Sequence, residues 1–133
     1  MTTPYSGFGF DYGALVANAD MNDKVGKFVT TGSVAGEFKL ATGASAPMPL
    51  GVLFNDPRQG EPGVIRILGT ARVSASNAIG YGDYVTANAS GNAIVVTASG
   101  KAAGVALTAL SSGAGYIEVL LIPAGFAGAD NTP

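Results

Sequence analysis

The chain has no cysteine, no histidine and no tryptophan among its 133 residues. Without cysteine there are no disulfides and no thiolate metal sites, and without histidine the commonest metal ligand and the commonest general base are gone. Charge is scarce as well. Only 12% of residues are charged, and 7 basic against 9 acidic side chains give a formal net charge of −2, which provides no surface for phosphate or nucleic acid. Long hydrophobic runs are missing too: the apolar stretch at Val119-Leu120-Leu121-Ile122 stops at Pro123, too short to span a membrane. Met1-Thr2-Thr3-Pro4 lacks the basic and apolar regions of a secretory signal, so the expectation is a soluble protein not exported by that route.

Glycine and small apolar residues are plentiful instead. Twenty glycines, with hydrophobicity supplied largely by Ala and Val, would leave a free monomer with a weakly solvated surface, part of which is expected to be an interface. From Val25 onward short β-favouring runs alternate with turn signals such as Thr42-Gly43, Pro62-Gly63, Ser90-Gly91-Asn92 and Ser112-Gly113. The spacing predicts strands over 27–31, 37–41, 50–54, 64–68, 71–75, 84–87, 93–97, 103–108 and 116–122, hence an all-β domain. Its form is a compact Gly-rich β-barrel or sandwich.

Part of the chain reads as a repeat. Gly26-Lys27-Phe28-Val29-Thr30 is echoed by Gly82-Asp83-Tyr84-Val85-Thr86, Gly51-Val52-Leu53 by Gly104-Val105-Ala106, and Val64-Ile65-Arg66-Ile67-Leu68 by Tyr116-Ile117-Glu118-Val119-Leu120. The order is the same in both copies, which points to two related β-units; the alternative is convergent strand chemistry in a Gly-rich chain.

Three segments follow: an extended N-terminal arm over 1–22, a β-domain over 23–123 and a flexible tail over 124–133. The arm gathers Tyr5, Phe8, Phe10 and Tyr12, four of the 11 aromatics (five Tyr, six Phe), separated by small residues and followed by Leu15 and Val16. Such alternation suits a segment laid across another surface, its glycines allowing close backbone approach. An edge strand of the protein's own core is the alternative. Ala14–Ala17 fits a short helix or strand.

Catalytic and metal motifs fail on inspection. Gly26-Lys27 and Gly100-Lys101 are followed by Phe28 and Ala102, not the Ser or Thr of a phosphate loop, and Gly80-Tyr81-Gly82 has Val85 where a dinucleotide fingerprint needs its third glycine. Asp20, Asn22 and Asp23 open like a calcium loop, but Val25 stands at its glycine position. No carboxylate pair is singled out by spacing. No catalytic, cofactor or metal residue is therefore assigned, and an enzyme is not expected. Asn88-Ala89-Ser90 reads as a turn. Asp56, Arg58 and Glu61 mark the most charged loop, either a solvated turn or a polar contact between subunits.

From Val25 to Pro123 the chain resembles the small capsid decoration, or cement, proteins of tailed bacteriophages. The resemblance rests on Gly26-Lys27-Phe28-Val29, Pro49-Leu50-Gly51-Val52-Leu53, Val64-Ile65-Arg66-Ile67 before Gly69, Gly82-Asp83-Tyr84-Val85-Thr86, and Ala103-Gly104-Val105-Ala106-Leu107 before Ile117-Glu118-Val119-Leu120-Leu121. It implies a non-enzymatic virion protein on the outer capsid surface, made in the host cytoplasm, bound to the major capsid protein and commonly trimeric. The arm residues Tyr5, Phe8, Phe10, Tyr12, Leu15 and Val16 are the expected capsid contacts on their own chemistry. Another virion β-protein, such as a head-fibre base or tail component, is the alternative, and a carbohydrate-binding β-module a further one.

Overall fold

The computed structural model describes residues 8–43, 49–96 and 101–127, with the backbone path alone for 123–127. Ten strands are described: β1 (Gly9–Tyr12), β2 (Val16–Ala17), β3 (Phe28–Thr31), β4 (Glu37–Leu40), β5 (Gly51–Leu53), β6 (Ile65–Ala75), β7 (Tyr84–Ala87), β8 (Ala93–Val95), β9 (Lys101–Ala106) and β10 (Gly115–Ala127). There is no helix among the described residues, as the absence of any sustained 3.6-residue period implies.

The second half of β6 closes a five-stranded mixed barrel. The ring runs β6–β10–β9–β7–β8 and returns to β6 through one parallel pair, Ala75 with Ala93. The strands outside it retrace the same plan, β6–β5–β3–β4–β2, with β1 antiparallel to the first half of β6 and β2 parallel to β4.

The correspondence extends to individual pairs. β3 meets β4 at Val29–Leu40, Thr30–Lys39 and Thr31–Phe38, and β7 meets β8 at Val85–Val95, Thr86–Ile94 and Ala87–Ala93. Phe28–Val52 and Val29–Gly51 are matched by Tyr84–Val105 and Val85–Gly104. Gly26 N–H donates to the Leu53 carbonyl and Gly82 N–H to that of Ala106, each at 2.8 Å. Even the parallel closures agree, Ala17–Phe38 standing where Ala75–Ala93 stands.

One part of the sequence comparison is corrected. β5 pairs Val52 with Arg66 and Leu53 with Ile65, while β9 pairs Val105 with Leu120 and Ala106 with Val119. Arg66 therefore corresponds to Leu120, not Glu118, and Ile65 rather than Ile67 to Val119. A slip of two leaves the inward and outward alternation of a strand unchanged, so hydrophobic pattern cannot detect it.

Burial follows the same plan. Ala75, Val85, Ala93, Ala106 and Val119 lie in the barrel core, and their register counterparts Ala17, Val29, Phe38, Leu53 and Ile65 form a second core with Met21. Each large side chain so buried contributes about 1.5–3 kcal/mol. Phe28, Ala41 and Val52, on strands of the first unit or beside them, join the barrel's cluster, so the two units share apolar packing. Polar bonds reinforce that seam: Lys27 Nζ donates to Asn92 Oδ1 at 2.7 Å, Ser74 Oγ donates to the same oxygen at 2.8 Å, and Phe28 N–H donates to the Gly91 carbonyl at 2.8 Å. Burial, and then the neighbouring Lys24 charge, hold the Lys27 amine below its ordinary pKa. Asn88 makes the expected turn, its Oδ1 accepting from Ser90 N–H at 2.8 Å and Asn92 N–H at 3.0 Å.

Three boundaries differ from expectation. The runs 64–68 and 71–75 are one strand, because Gly69 (φ 102°) bends the chain without interrupting its pairing. The segment over 1–22 is not separate from the body after Phe8: β1 and β2 belong to its sheets and Met21 to its core. The tail over 124–133 is paired through Ala127, with Phe126 opposite Ala102 and Ala127 opposite Lys101; the register shift between Leu121 and Phe126 contains Pro123, which has no N–H to donate. Residues 1–7 and 128–133 lie outside the described residues.

Candidate functional site

The aromatic residues of β1 are anchored to the body by their backbone and not by their side chains. Gly9 pairs with Gly69, Phe10 with Leu68, Asp11 with Arg66 and Tyr12 with Ile65. Ahead of the strand, Phe8 N–H donates to Thr70 Oγ1 at 3.1 Å and the Phe8 carbonyl accepts from Thr70 N–H at 2.7 Å. Every residue of β1 is exposed.

Glycine is required on both sides of this contact. A Cβ on Gly9 would stand 1.9 Å from the Leu68 carbonyl oxygen, and one on Gly69 would stand 1.9 Å from that of Phe8. Neither oxygen belongs to a flexible side chain, so β1 can lie this close only where both strands lack a side chain. Such close backbone approach is what the glycine spacing of the arm predicts, but the surface beneath is the protein's own β6.

An ion pair fixes the register. Arg66 Nε donates to Asp11 Oδ1 at 2.5 Å, with the arginine side chain 10% exposed and the carboxylate 39%. The guanidinium also donates through Nη1 to the Thr70 carbonyl at 3.0 Å and lies 4.3 Å from the centre of the Phe54 ring. Arg66 thus joins β1, β6 and the end of β5, and its planar, always-charged group suits all three contacts.

What β1 presents outward is apolar. Phe8 is 88% exposed and Phe10 68%; Leu68, opposite Phe10 on the same face, is 42% exposed. Leu120, opposite Thr70, and Tyr12 are also exposed. The result is an apolar strip along β1 and β6, a feature that marks binding surfaces on soluble proteins. Of the alternative, an edge strand of the protein's own core, the strand is found, since β1 pairs with β6, but Phe8 and Phe10 are exposed and do not fill the interior. Leu15 and Val16 are placed differently: both are half-buried, and Leu15 packs against the core of Ala17, Phe38 and Ile65. Tyr5 lies outside the described residues.

The charged loop stands apart from this strip. Glu61 Oε1 accepts from Arg58 N–H at 2.8 Å, and the Glu61 carbonyl accepts from Ala17 N–H at 2.9 Å, so the loop is tied to the chain around β2. Asp56 and Arg58, with Asp20 and Asn22, line an open depression of about 480 Å³. Among the described residues no group of three or more His, Cys, Asp or Glu could hold a metal ion, and no helix is long and apolar enough to cross a membrane.

Sequence reasoning missed Leu68, Leu120 and the Asp11–Arg66 pair. A single arginine inside the apolar run Val64–Leu68 and a single acid among the arm aromatics are the signal that could have matched them.

An all-β body carrying an exposed apolar strip has the build of a structural binding protein. The family model described as phage cement protein matches residues 13–121, and the chain belongs to that family of structural, non-enzymatic virion capsid proteins. Membership implies binding to the capsid. The chain is also similar in fold to the head fiber gp8.5 N base of bacteriophage phi29, with a TM-score of 0.62 and 17% identity over 88% of this chain and 96% of that one. No curated protein matches it. The family match begins at residue 13, so β1 lies just ahead of it.

Proposed function

We propose that this protein binds the outer surface of a phage head and stabilises it by bridging neighbouring major capsid protein subunits, with the strip of Phe8, Phe10, Tyr12 and Leu68 as its contact. The single observation that carries this reading is the exposure of Phe8 and Phe10 on a backbone already fixed to β6. Ordering a free chain costs about 1–2 kcal/mol per residue. From residue 8 onward that cost is met in folding, so ring burial acts directly on affinity. Tyr5, outside the described residues, is assigned the same role on its chemistry alone. Leu15 and Val16 serve by holding the segment to the core. The two matched β-units act as one body that keeps the strip rigid. Assembly as a trimer accords with the scarcity of charge; Asp56 and Arg58, exposed in their loop, are its candidate contacts between copies.

A second reading, the base of a head fibre, is favoured by the extent of the fold likeness, which spans nearly all of both chains. Undecorated capsids mixed with the purified protein and imaged by cryo-electron microscopy test both. The cement reading expects density across a boundary between capsid subunits with β1 at the contact. Density seated through another face, or no binding, overturns it, and a fibre rising from the bound body selects the second reading.

A further inference from the structure

We propose that β1 is an exchangeable strand, which in an assembly of this protein leaves its own β6 and takes the same seat on the β6 of a second copy. The first observation is how little side-chain burial holds it. The barrel is closed by the second half of β6, which turns Ala71, Val73 and Ala75 into the core. The outer strands are closed by β1 and β2, and all four residues of β1 are exposed. Detaching β1 therefore opens no core; it gives up backbone pairs and the bond to Arg66.

The second observation is that the seat is specific and complete in itself. It consists of Gly69, which admits only a strand with a glycine opposite, and of the buried Arg66, which needs a carboxylate two positions further along. Gly9 and Asp11 supply both, and they do so equally well from another molecule. Charge complementarity and the glycine interlock thus name the occupant as a β1 of the same sequence, since exchange between identical chains replaces each contact with its like. The third observation is the hinge. Gly13 and Ala14 are exposed, and a Cβ added to Gly13 would meet nothing closer than the Gly63 carbonyl oxygen at 4.0 Å. The chain is held again at Leu15, whose carbonyl accepts from Gly63 N–H at 3.0 Å. Extended from that anchor, residues 8–14 reach about 24 Å, enough to meet an adjoining copy.

The absence of native cysteine makes a direct test available. Phe10 and Leu68 are opposite residues of an antiparallel pair, a spacing that a disulfide can bridge. One chain carrying Phe10→Cys and another carrying Leu68→Cys are mixed at high concentration, warmed to allow exchange and oxidised. The expected main covalent product is the heterodimer, and adding Gly9→Ala to the first chain, which leaves the body intact but blocks the seat, should abolish it. Homodimers in equal or greater yield, or a heterodimer undiminished by Gly9→Ala, would overturn the proposal. A chain carrying both cysteines is the companion measurement: dilute, it should close within one molecule, and failure to do so would show that β1 does not occupy the seat at all. Failure of the exchange alone leaves the capsid reading standing, because that reading needs β1 only on its own β6; failure of the companion closure would count against both.

Discussion

Replacing Phe8 and Phe10 by threonine should separate attachment from folding. Threonine is, like phenylalanine, a residue that favours strands, and it removes both rings. In the free protein the rings are 88% and 68% exposed, so the fold loses little, within the ±0.5 kcal/mol or so usual for surface changes. In the proposed capsid contact the same rings would be buried. Full burial of a phenylalanine is worth about 1.5–3 kcal/mol, and scaling by the exposed fractions gives about 2–5 kcal/mol for the pair. At about 1.4 kcal/mol per tenfold, the double variant should need roughly 30 to 3,000 times more protein to reach half-occupancy. Occupancy measured against concentration on undecorated capsids, beside a thermal melt of the free protein, reads both quantities. Decoration at the wild-type concentration refutes the strip as the contact, and a clearly earlier melt refutes the claim that the rings lie outside the fold.

Other consequences are testable in the free protein. Asp11→Ala leaves Arg66, 10% exposed, without its carboxylate and should cost about 1–3 kcal/mol, less than for a fully buried pair because the acid is partly solvated; urea denaturation reads this, and Arg66→Leu added to Asp11→Ala should recover part of the loss. Gly51→Ala and Gly104→Ala should each destabilise by about 3 kcal/mol, since the added Cβ would stand 2.1 Å from the Arg66 carbonyl oxygen in one unit and 2.3 Å from Val119 Cγ1 in the other; a large effect at one site and none at the other would deny that the two positions are equivalent. Thr86→Val removes a hydroxyl that is buried without a hydrogen-bond partner, so the melting temperature should hold or rise, by the equivalent of up to about 1 kcal/mol.

Much of this architecture is legible in the chain because a strand needs only a period of two and a turn only a few residue types. Tyr84–Ala87 is found where the pattern puts it, and the glycines at 26, 51, 82 and 104 mark equivalent positions in the pairing. Register is not legible at the same level. Ile65 and Ile67 present the same alternation, and only the pairing with β5 tells which of them matches Val119. The partner of β1 was hidden for a different reason. Its side chains carry no inward face, so nothing in the aromatic spacing distinguishes a foreign surface from the protein's own β6, and the answer rests on two carbonyl oxygens that approach Gly9 and Gly69. The Asp11–Arg66 bond joins residues 55 positions apart; each is the lone charge of its run, but at that separation the sequence leaves other partners open to both.

β6 serves both units as one uninterrupted strand of 11 residues. That continuity gives the molecule a mechanical direction. A shell that swells pulls sideways on whatever spans its seams. Tension along β6 is resisted by pairs to β1, β5 and β10 that must slide together, because each bond lies across the line of pull. Tension across β6 opens the same pairs one after another, starting from an end. A protein of this build is stiff along one axis and weak across it, so the orientation in which it sits on an expanding surface decides whether it acts as a tie or as a seam that peels.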